Sequence, residues 1–317
     1  MVIFIDNGKD HIMTKRMLPI WNAIGHTVSS THQGCPPRSI HLSYVHFSQV
    51  TNLKKIVRID GIYYDKATDY NKRNQQISEA HSKADGIIYQ SQFSEWMVPR
   101  FLTPKKKTAK MRVIYNGIAE NWCGQHIDNG VFNVVVSGIW RRHKRLQETI
   151  DVFNAFRKLS HIKTKLHILG NLVENKPVDN PDIIYYGHLS PAAMAAIWRI
   201  GDVSIHMSKK DSCPNTVVEA IGAGIPVITT NACGGAVNMV LMTEGCKMIE
   251  GDGDYANIEP CYPYTNEYNV LSKRTRGDLV ETLLKMSENP YRIKMPERLK
   301  IENVAREYLD FMAEVLK

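Results

Sequence analysis

Between positions 131 and 229 short apolar runs alternate with helical patterns, and that alternation restricts the architecture more than any other feature of the chain. Val131–Gly138, Lys165–Leu169, Ile183–Tyr186, Val203–Met207 and Val227–Thr229 read as buried strands. Leu146–Leu159 carries Leu146, Ile150, Phe153, Phe156 and Leu159 at helical spacing, and Ser190-Pro191 opens a second helix that runs to about Arg199. The first half shows the same pattern in weaker form, with strands at Val2–Ile5, Ile40–Phe47, Lys55–Ile59, Gly86–Tyr89 and Arg112–Tyr115 and helices at Asn74–Lys83 and Ser94–Phe101. Short strands joined by helices form a parallel sheet covered on both faces. The expected fold class is therefore α/β, with two Rossmann-like, doubly wound domains. A ligand belongs at the carboxyl ends of the strands, in a central cleft which the domains face. Gly277–Ser287 and Lys300–Val315 close the chain as helices.

At 317 residues the chain accommodates two domains, each large enough for its own core. No window of eighteen residues is free of charged or strongly polar groups, which excludes a spanning helix. Met1–Gly8 has no basic start and no long apolar stretch, and it reads as a first strand and turn, so the expected location is cytoplasmic. Cysteines at 35, 123, 213, 233, 246 and 261 show neither a Cys-x-x-Cys pair nor zinc spacing, which favours reduced thiols. The net charge of +8 favours anionic partners. Basic residues interleaved with aromatics on one element are lacking, so nucleic acid is not expected among them.

Chemistry concentrates in two segments. Asp211-Ser212-Cys213-Pro214-Asn215-Thr216-Val217-Val218-Glu219 places two carboxylates eight positions apart, ahead of Ala220-Ile221-Gly222-Ala223-Gly224 and a buried strand. Pro214 suits the first turn of a helix, with Ser212 or Cys213 as its cap. The helix start offers an anion site, and the acids on either side offer acceptors for sugar hydroxyls. A capped helix before a core strand is the plain alternative. The second segment, Ser137-Gly138-Ile139-Trp140-Arg141-Arg142-His143-Lys144-Arg145, ends one strand and opens the next helix with crowded cations that an anion would relieve. A solvated basic helix start is the alternative there, one that the helix dipole opposes.

The acidic segment resembles the signature of retaining glycosyltransferases of the GT-B fold, specifically the GT4 family (glycosyl transferases group 1), in which a Glu, seven residues and a second Glu grip a nucleotide-sugar donor. The resemblance implies that Asp211, one methylene shorter than the family's Glu, holds the donor sugar, that Glu219 accepts from the ribose, and that Pro214 and Asn215 line the site between them. Gly138 and Lys144 keep the spacing of the family's glycine and diphosphate-binding lysine. Ile139 stands where the family has an arginine, and Arg141 is its replacement. Gly234 and Gly235, in Cys233-Gly234-Gly235-Ala236, are similar to the turn beside the donor sugar, with Asn238 where a Glu often follows. His188, in Gly187-His188-Leu189-Ser190, resembles the loop near the base. Asp60, in Arg58-Ile59-Asp60-Gly61, replaces the histidine of a His-Gly pair on the acceptor side, and Tyr63, Tyr64 and Asp65 follow it. His46 is a second acceptor-side candidate. Asn7-Gly8-Lys9 replaces the family's Gly-Gly loop.

The implied division is an abbreviated acceptor-side domain over 1–122, a donor-binding domain over 123–299 and a returning helix over 300–317. The implied reaction is sugar transfer from a nucleoside-diphosphate sugar to an acceptor hydroxyl with retention of configuration. Asp60, Lys144 and Asp211 are the catalytic candidates. Front-face attack, with the leaving phosphate taking the acceptor proton, removes the need for a dedicated nucleophile. No cofactor and no metal are expected: fixed cations can stabilise the departing diphosphate, and Asp252-Gly253-Asp254 reads as a surface turn. The acceptor is a glycan or a lipid-linked or protein-linked group, with peripheral membrane contact among the partner classes. Two competing readings stay open, a non-catalytic nucleotide-sugar-binding protein (a degenerate transferase), and an epimerase or phosphorylase on the same fold.

Overall fold

A computed structural model describes residues 1–6, 10–63, 69–102, 104–173, 175–209, 211–251 and 271–317. Its described residues fall into two compact units, one made of Met1–Ala119 with Glu297–Lys317 and one made of 120–251 with 271–296. The chain thus passes between units at 119/120 and 296/297 rather than at 122/123 and 299/300. Asn7, Gly8, Lys9, Tyr64, Asp65, Asp252, Gly253, Asp254 and Cys261 lie outside the described residues.

In the first unit six strands, β1 (Val2–Ile5), β2 (Thr27–Ser29), β3 (Ile40–Tyr44), β4 (Lys54–Ile59), β5 (Gly86–Tyr89) and β6 (Lys110–Val113), form a parallel sheet in the order β2-β1-β3-β4-β5-β6. β3 stops at Tyr44 instead of running to Phe47, because Val45 turns into the left-handed region at φ +72°. Three helices, α1 (Ile12–Ala23), α2 (Tyr70–Lys83) and α3 (Gln92–Met97), connect the strands. The sequence pattern left α1 unassigned. Its buried stripe is only Met13, Met17 and Trp21, its cap is His11 rather than a hydroxyl or carboxamide, and Pro19 interrupts its hydrogen bonding.

The C-terminal helix, Ile301–Leu316, completes this unit's core. Ile301, Val304, Tyr308, Phe311 and Met312 pack with Ile3, Ile5, Met17 and Trp21. The Trp21 indole N–H donates to the Ala305 carbonyl at 3.0 Å, and Arg112 pairs with Glu314 at 2.6 Å. A helix with Val304, Phe311 and Met312 fully buried cannot stand alone in water, and burial of those faces is what fixes it here.

The second unit holds β7 (Phe132–Ser137), β8 (Thr164–Leu169), β9 (Ile183–Gly187), β10 (Val203–His206), β11 (Val227–Thr230) and β12 (Lys247–Ile249), all parallel, in the order β12-β11-β10-β7-β8-β9. Its helices are α4 (Leu146–Leu159), α5 (Pro191–Ile200), α6 (Asn215–Gly222), α7 (Gly235–Leu241) and α8 (Lys273–Glu288). Phe153 and Phe156 of α4 and Leu279 and Leu283 of α8 cover Val134, Val136, Leu166 and Ile168 on one face of the sheet. The strand order runs outward in both directions from β7 and β10, so the topological switch point lies between those two strands. In a doubly wound sheet that is where a ligand crevice opens, beyond the carboxyl ends.

Segment 120–130 is largely exposed but tied to the unit's helices. Cys123 is buried, the Asn121 N–H donates to the Gly222 carbonyl at 2.7 Å, and the Ile127 N–H donates to the Arg199 carbonyl at 2.9 Å. These bonds cap the ends of α5 and α6. Among the described residues no helix is long and apolar enough to cross a membrane. Cys35, Cys123, Cys213, Cys233 and Cys246 are free thiols.

Candidate active site

Each donor-side residue singled out in the sequence sits on one edge of the second sheet. Gly138 and Lys144 follow β7, Asp211 follows β10, Gly234 and Gly235 follow β11, and His188 follows β9. β7 and β10 are neighbours, so Lys144 and Asp211 come from the two loops that flank the switch point.

The basic segment does not enter α4 directly. After β7 the Gly138 N–H donates to Leu169 and the Trp140 N–H to Asn171, while the buried Trp140 indole donates to the Leu169 carbonyl at 2.9 Å. Gly170 makes this possible, because a Cβ there would collide with the Gly138 carbonyl. Residues Arg142–Lys144 form a 3-10 turn, and Arg145 then adopts φ +58° to cap α4. The cations therefore separate. Arg141 is exposed, whereas Arg145 is buried with its guanidinium 3.5 Å from the Glu148 carboxylate, which relieves part of the crowding. Burial pushes the Glu148 carboxyl up, and Arg145 offsets only part of that.

Lys144 points to the acidic loop. Its ammonium meets the Asp211 carboxylate at 2.5 Å, with side chains 24% and 18% exposed, and the Lys209 N–H donates to the His143 carbonyl at 3.0 Å to hold the two loops together. Burial acts to raise the Asp211 carboxyl, but Lys144, His206 and His143 outweigh it and leave it below the usual carboxylate range. The Asp211 backbone carbonyl accepts from the Gly235 N–H at 2.7 Å, so the same residue reaches the glycine turn. Gly234 has φ +60° and ψ −126°, a conformation that side chains with a Cβ avoid, and it starts α7 at Gly235.

Pro214 is the N-cap of α6 and Asn215 its first residue, so neither Ser212 nor Cys213 takes the capping position, and Pro214 itself makes no side-chain cap bond. Proline supplies the fixed φ of −65° but no side-chain acceptor. Glu219 is buried one turn in, between Val218 and Ala220 of the helix that packs on β10 and β11. His188 is exposed beyond β9, three strands from β10 in the sheet order, and is the most remote of the donor-side candidates.

Sequence reasoning missed His206, the last residue of β10. It is buried, its Nδ1 lies 3.4 Å from the Thr216 hydroxyl, and desolvation holds its pKa down at about 4 despite the neighbouring Asp211. The imidazole is neutral at physiological pH. Its alternation with the core-facing Ile205 was the available signal.

In the first unit Asp60 follows β4 within a cluster that the sequence reading also missed. Arg58 meets one carboxylate oxygen at 2.6 Å, the Gln90 amide donates to the same oxygen at 2.5 Å, and His11 lies 3.2 Å from the other. Arg58 is buried and also donates to the Asn116 side chain at 2.6 Å. The His11 ring stacks on Tyr44 with centroids 4.5 Å apart, its Nδ1 accepts from the Met13 N–H, and its Nε2 lies 3.2 Å from both the Asp60 carboxylate and the Arg58 guanidinium. Burial works to raise the Asp60 carboxyl, but Arg58 and His11 keep it below the usual range. A carboxylate held in that way is a poor proton acceptor and a good hydrogen-bond acceptor. His46 lies past the end of β3, in the turn after Val45, rather than within the strand.

A family model, glycosyl transferases group 1, matches residues 125–254. No curated protein matches the chain by sequence. Among solved structures, sucrose-phosphate synthase from Thermosynechococcus elongatus superposes with a TM-score of 0.64 at 13% identity, over 99% of this chain and 98% of that one. WaaG, a glycosyltransferase involved in lipopolysaccharide biosynthesis, gives 0.58 at 12% identity over 98% and 99%. The pneumococcal O-GlcNAc transferase GtfA, in complex with UDP and GlcNAc, gives 0.59 at 14% identity over 88% of this chain, which spans 57% of that protein. The fold is thus an α/β fold of two Rossmann-like units, the fold of GT-B glycosyltransferases. The family match takes in Gly138, Lys144, Asp211, Glu219, Gly234 and Gly235.

Proposed function

We propose that this protein is a retaining glycosyltransferase of the GT4 type that moves a sugar from a nucleoside-diphosphate donor to an acceptor hydroxyl without a metal. The observation that carries this reading is the Lys144–Asp211 ion pair at the switch point of the second sheet, tied through the Asp211 carbonyl to the glycine turn and through Pro214 to the helix of Glu219. A diphosphate entering there meets Lys144 and, on the same loop, the exposed Arg141. It displaces the ammonium from Asp211, and the freed carboxylate accepts from the donor sugar's hydroxyls. Glu219 takes the ribose. Gly234 and Gly235 let the chain approach the sugar closely, and His188 serves the base side.

Two cations and the open start of α6 stabilise the charge that builds on the departing diphosphate. The leaving phosphate oxygen takes the acceptor proton on the face it vacates, so the new glycosidic bond forms with retention. Asp60, kept ionised by Arg58 and His11, orients the acceptor hydroxyl by accepting its hydrogen bond. Glycans and lipid-linked or protein-linked hydroxyls are the acceptor class, and a cytoplasmic protein with peripheral membrane contact fits such substrates. The relatives named for O-GlcNAc transfer and lipopolysaccharide synthesis act in that chemistry.

A thermal-shift panel of UDP, GDP and ADP and their sugars tests the donor reading, since a ligand that binds only the folded state raises the midpoint. At least one diphosphate raises it, and Lys144→Ala and Glu219→Ala each abolish the rise. Parent-like shifts in both variants would end the assignment.

A further inference from the structure

Helix α6 has only eight residues, too few to hold itself in water, and its N-cap is a proline with no side-chain acceptor. Its far end is held from two directions. The Trp122 indole N–H donates to the Glu219 carbonyl at 2.8 Å, and the adjacent Asn121 N–H donates to the Gly222 carbonyl at 2.7 Å. On the other side Arg292 donates through one guanidinium nitrogen to the Gly201 carbonyl at the end of α5, at 2.7 Å, and through the other to the Ala223 carbonyl at the end of α6. The Ile293 N–H follows onto the Gly224 carbonyl at 3.0 Å. Carbonyls at a helix end carry partial negative charge, and a guanidinium fork there satisfies both their geometry and their field.

Trp122 is the third residue after the chain enters this unit, and Arg292 is the fifth before it leaves again. We infer that Trp122 and Arg292 are positioning residues for the donor: they fix the axial position and rotation of α6, and Trp122 does so at Glu219 itself. This rests on the reading of Glu219 as the ribose acceptor. Glu219 then carries two functions on one residue, a carboxylate toward the nucleotide and a backbone carbonyl anchored by an indole. Neither Trp122 nor Arg292 needs to touch substrate.

The test is a double-mutant cycle in the full chain, with UDP, GDP and ADP as calorimetric probes. Trp122→Phe keeps one aromatic ring and removes the indole N–H. It weakens binding of the preferred diphosphate about fivefold, the scale of one neutral hydrogen bond, and raises the donor KM with little change in kcat. In a Glu219→Ala background the same substitution leaves the residual affinity unchanged, because the misplaced group is already absent. Arg292→Lys repeats the effect more weakly than Arg292→Met, since an ammonium reaches one carbonyl but not two. Should Glu219→Ala weaken binding while Trp122→Phe binds as the parent, or should the two losses simply add, the inference fails and the donor reading survives. If Glu219→Ala itself binds as the parent, the donor reading falls first and this inference falls with it.

Discussion

Lys144 and Asp211, 67 positions apart in sequence, close to 2.5 Å between ammonium and carboxylate across the strands β7 and β10. Each neutralises the other in a partly buried place. On the proposed function the pair competes with its own ligand: a bound diphosphate breaks it and replaces Asp211 as the partner of Lys144.

Replacing Lys144 by Met is expected to lower diphosphate affinity by about 2–3 kcal/mol, the scale of losing one hydrogen-bonded charge partner. Stability falls by only ~1–2 kcal/mol, since both side chains keep some solvent contact. Calorimetry with UDP, GDP and ADP measures the first and urea unfolding the second. The Asp211 carboxyl loses its main opposing cation, so its titration moves up. An unchanged affinity would remove Lys144 from the site.

Gly234→Ala forces a Cβ into a backbone conformation of φ +60° and ψ −126° and is expected to cost about 1–3 kcal/mol. The Gly235 N–H is then drawn from the Asp211 carbonyl, so donor binding weakens along with stability. A variant with parent-like urea midpoint and donor KM contradicts the tight turn.

The pH dependence follows from buried histidines. His206 and His167 are held neutral by desolvation with pKa values of about 4, against 6.5 in an unfolded chain. Between those values the unfolded chain binds protons that the folded chain does not. Their neutral burial is therefore compatible with full stability above pH 6.5, and stability is lost as pH falls toward 4, by on the order of 3 kcal/mol for each. Urea unfolding at pH 7 and pH 4.5 should show this loss, and His206→Asn should reduce it. A pH-independent midpoint over that range would contradict the neutral assignment.

Asp60→Asn is expected to lower turnover by tenfold or more, roughly the contribution of one positioned polar group, while leaving donor affinity unchanged because Asp60 belongs to the other unit. It also leaves the buried Arg58 with a weaker partner, at a cost of about 2–4 kcal/mol. Steady-state kinetics with donor and acceptor varied separately decide it. A rise in donor KM alone would move Asp60 out of its acceptor role.

Val45→Gly should stabilise the first unit by about 0.5–1.5 kcal/mol, since φ +72° is strained for a β-branched residue and open to glycine. A lower urea midpoint would mean that Val45 side-chain contacts outweigh the strain.

Much of the second unit was legible from pattern alone. The run from Leu146 to Leu159 forms a helix with Ile150, Phe153 and Phe156 on its buried face, because period and amphipathicity are local properties that the core only amplifies. The same holds for the order of strands and helices from β7 to β11. The element ends were less legible where they depend on a single dihedral: β3 ends at Val45, and Pro214 became a cap rather than the first helical residue. Helix α1 was missed because a histidine cap and Pro19 obscure a stripe that becomes visible only against the C-terminal helix.

Sequence spacing by itself determined that Gly138 and Lys144, Asp211 and Glu219, and the paired glycines stand on segments that follow strand ends, since the alternation of strand and helix places every following loop on one edge of a parallel sheet. Only the tertiary structure decided which of those loops are neighbours. Strand order is set by non-local backbone pairing, and it brought Lys144 to Asp211 and placed His11 and Gln90 against Asp60. Those distances arise from contacts between residues far apart in the chain, and no local propensity encodes them.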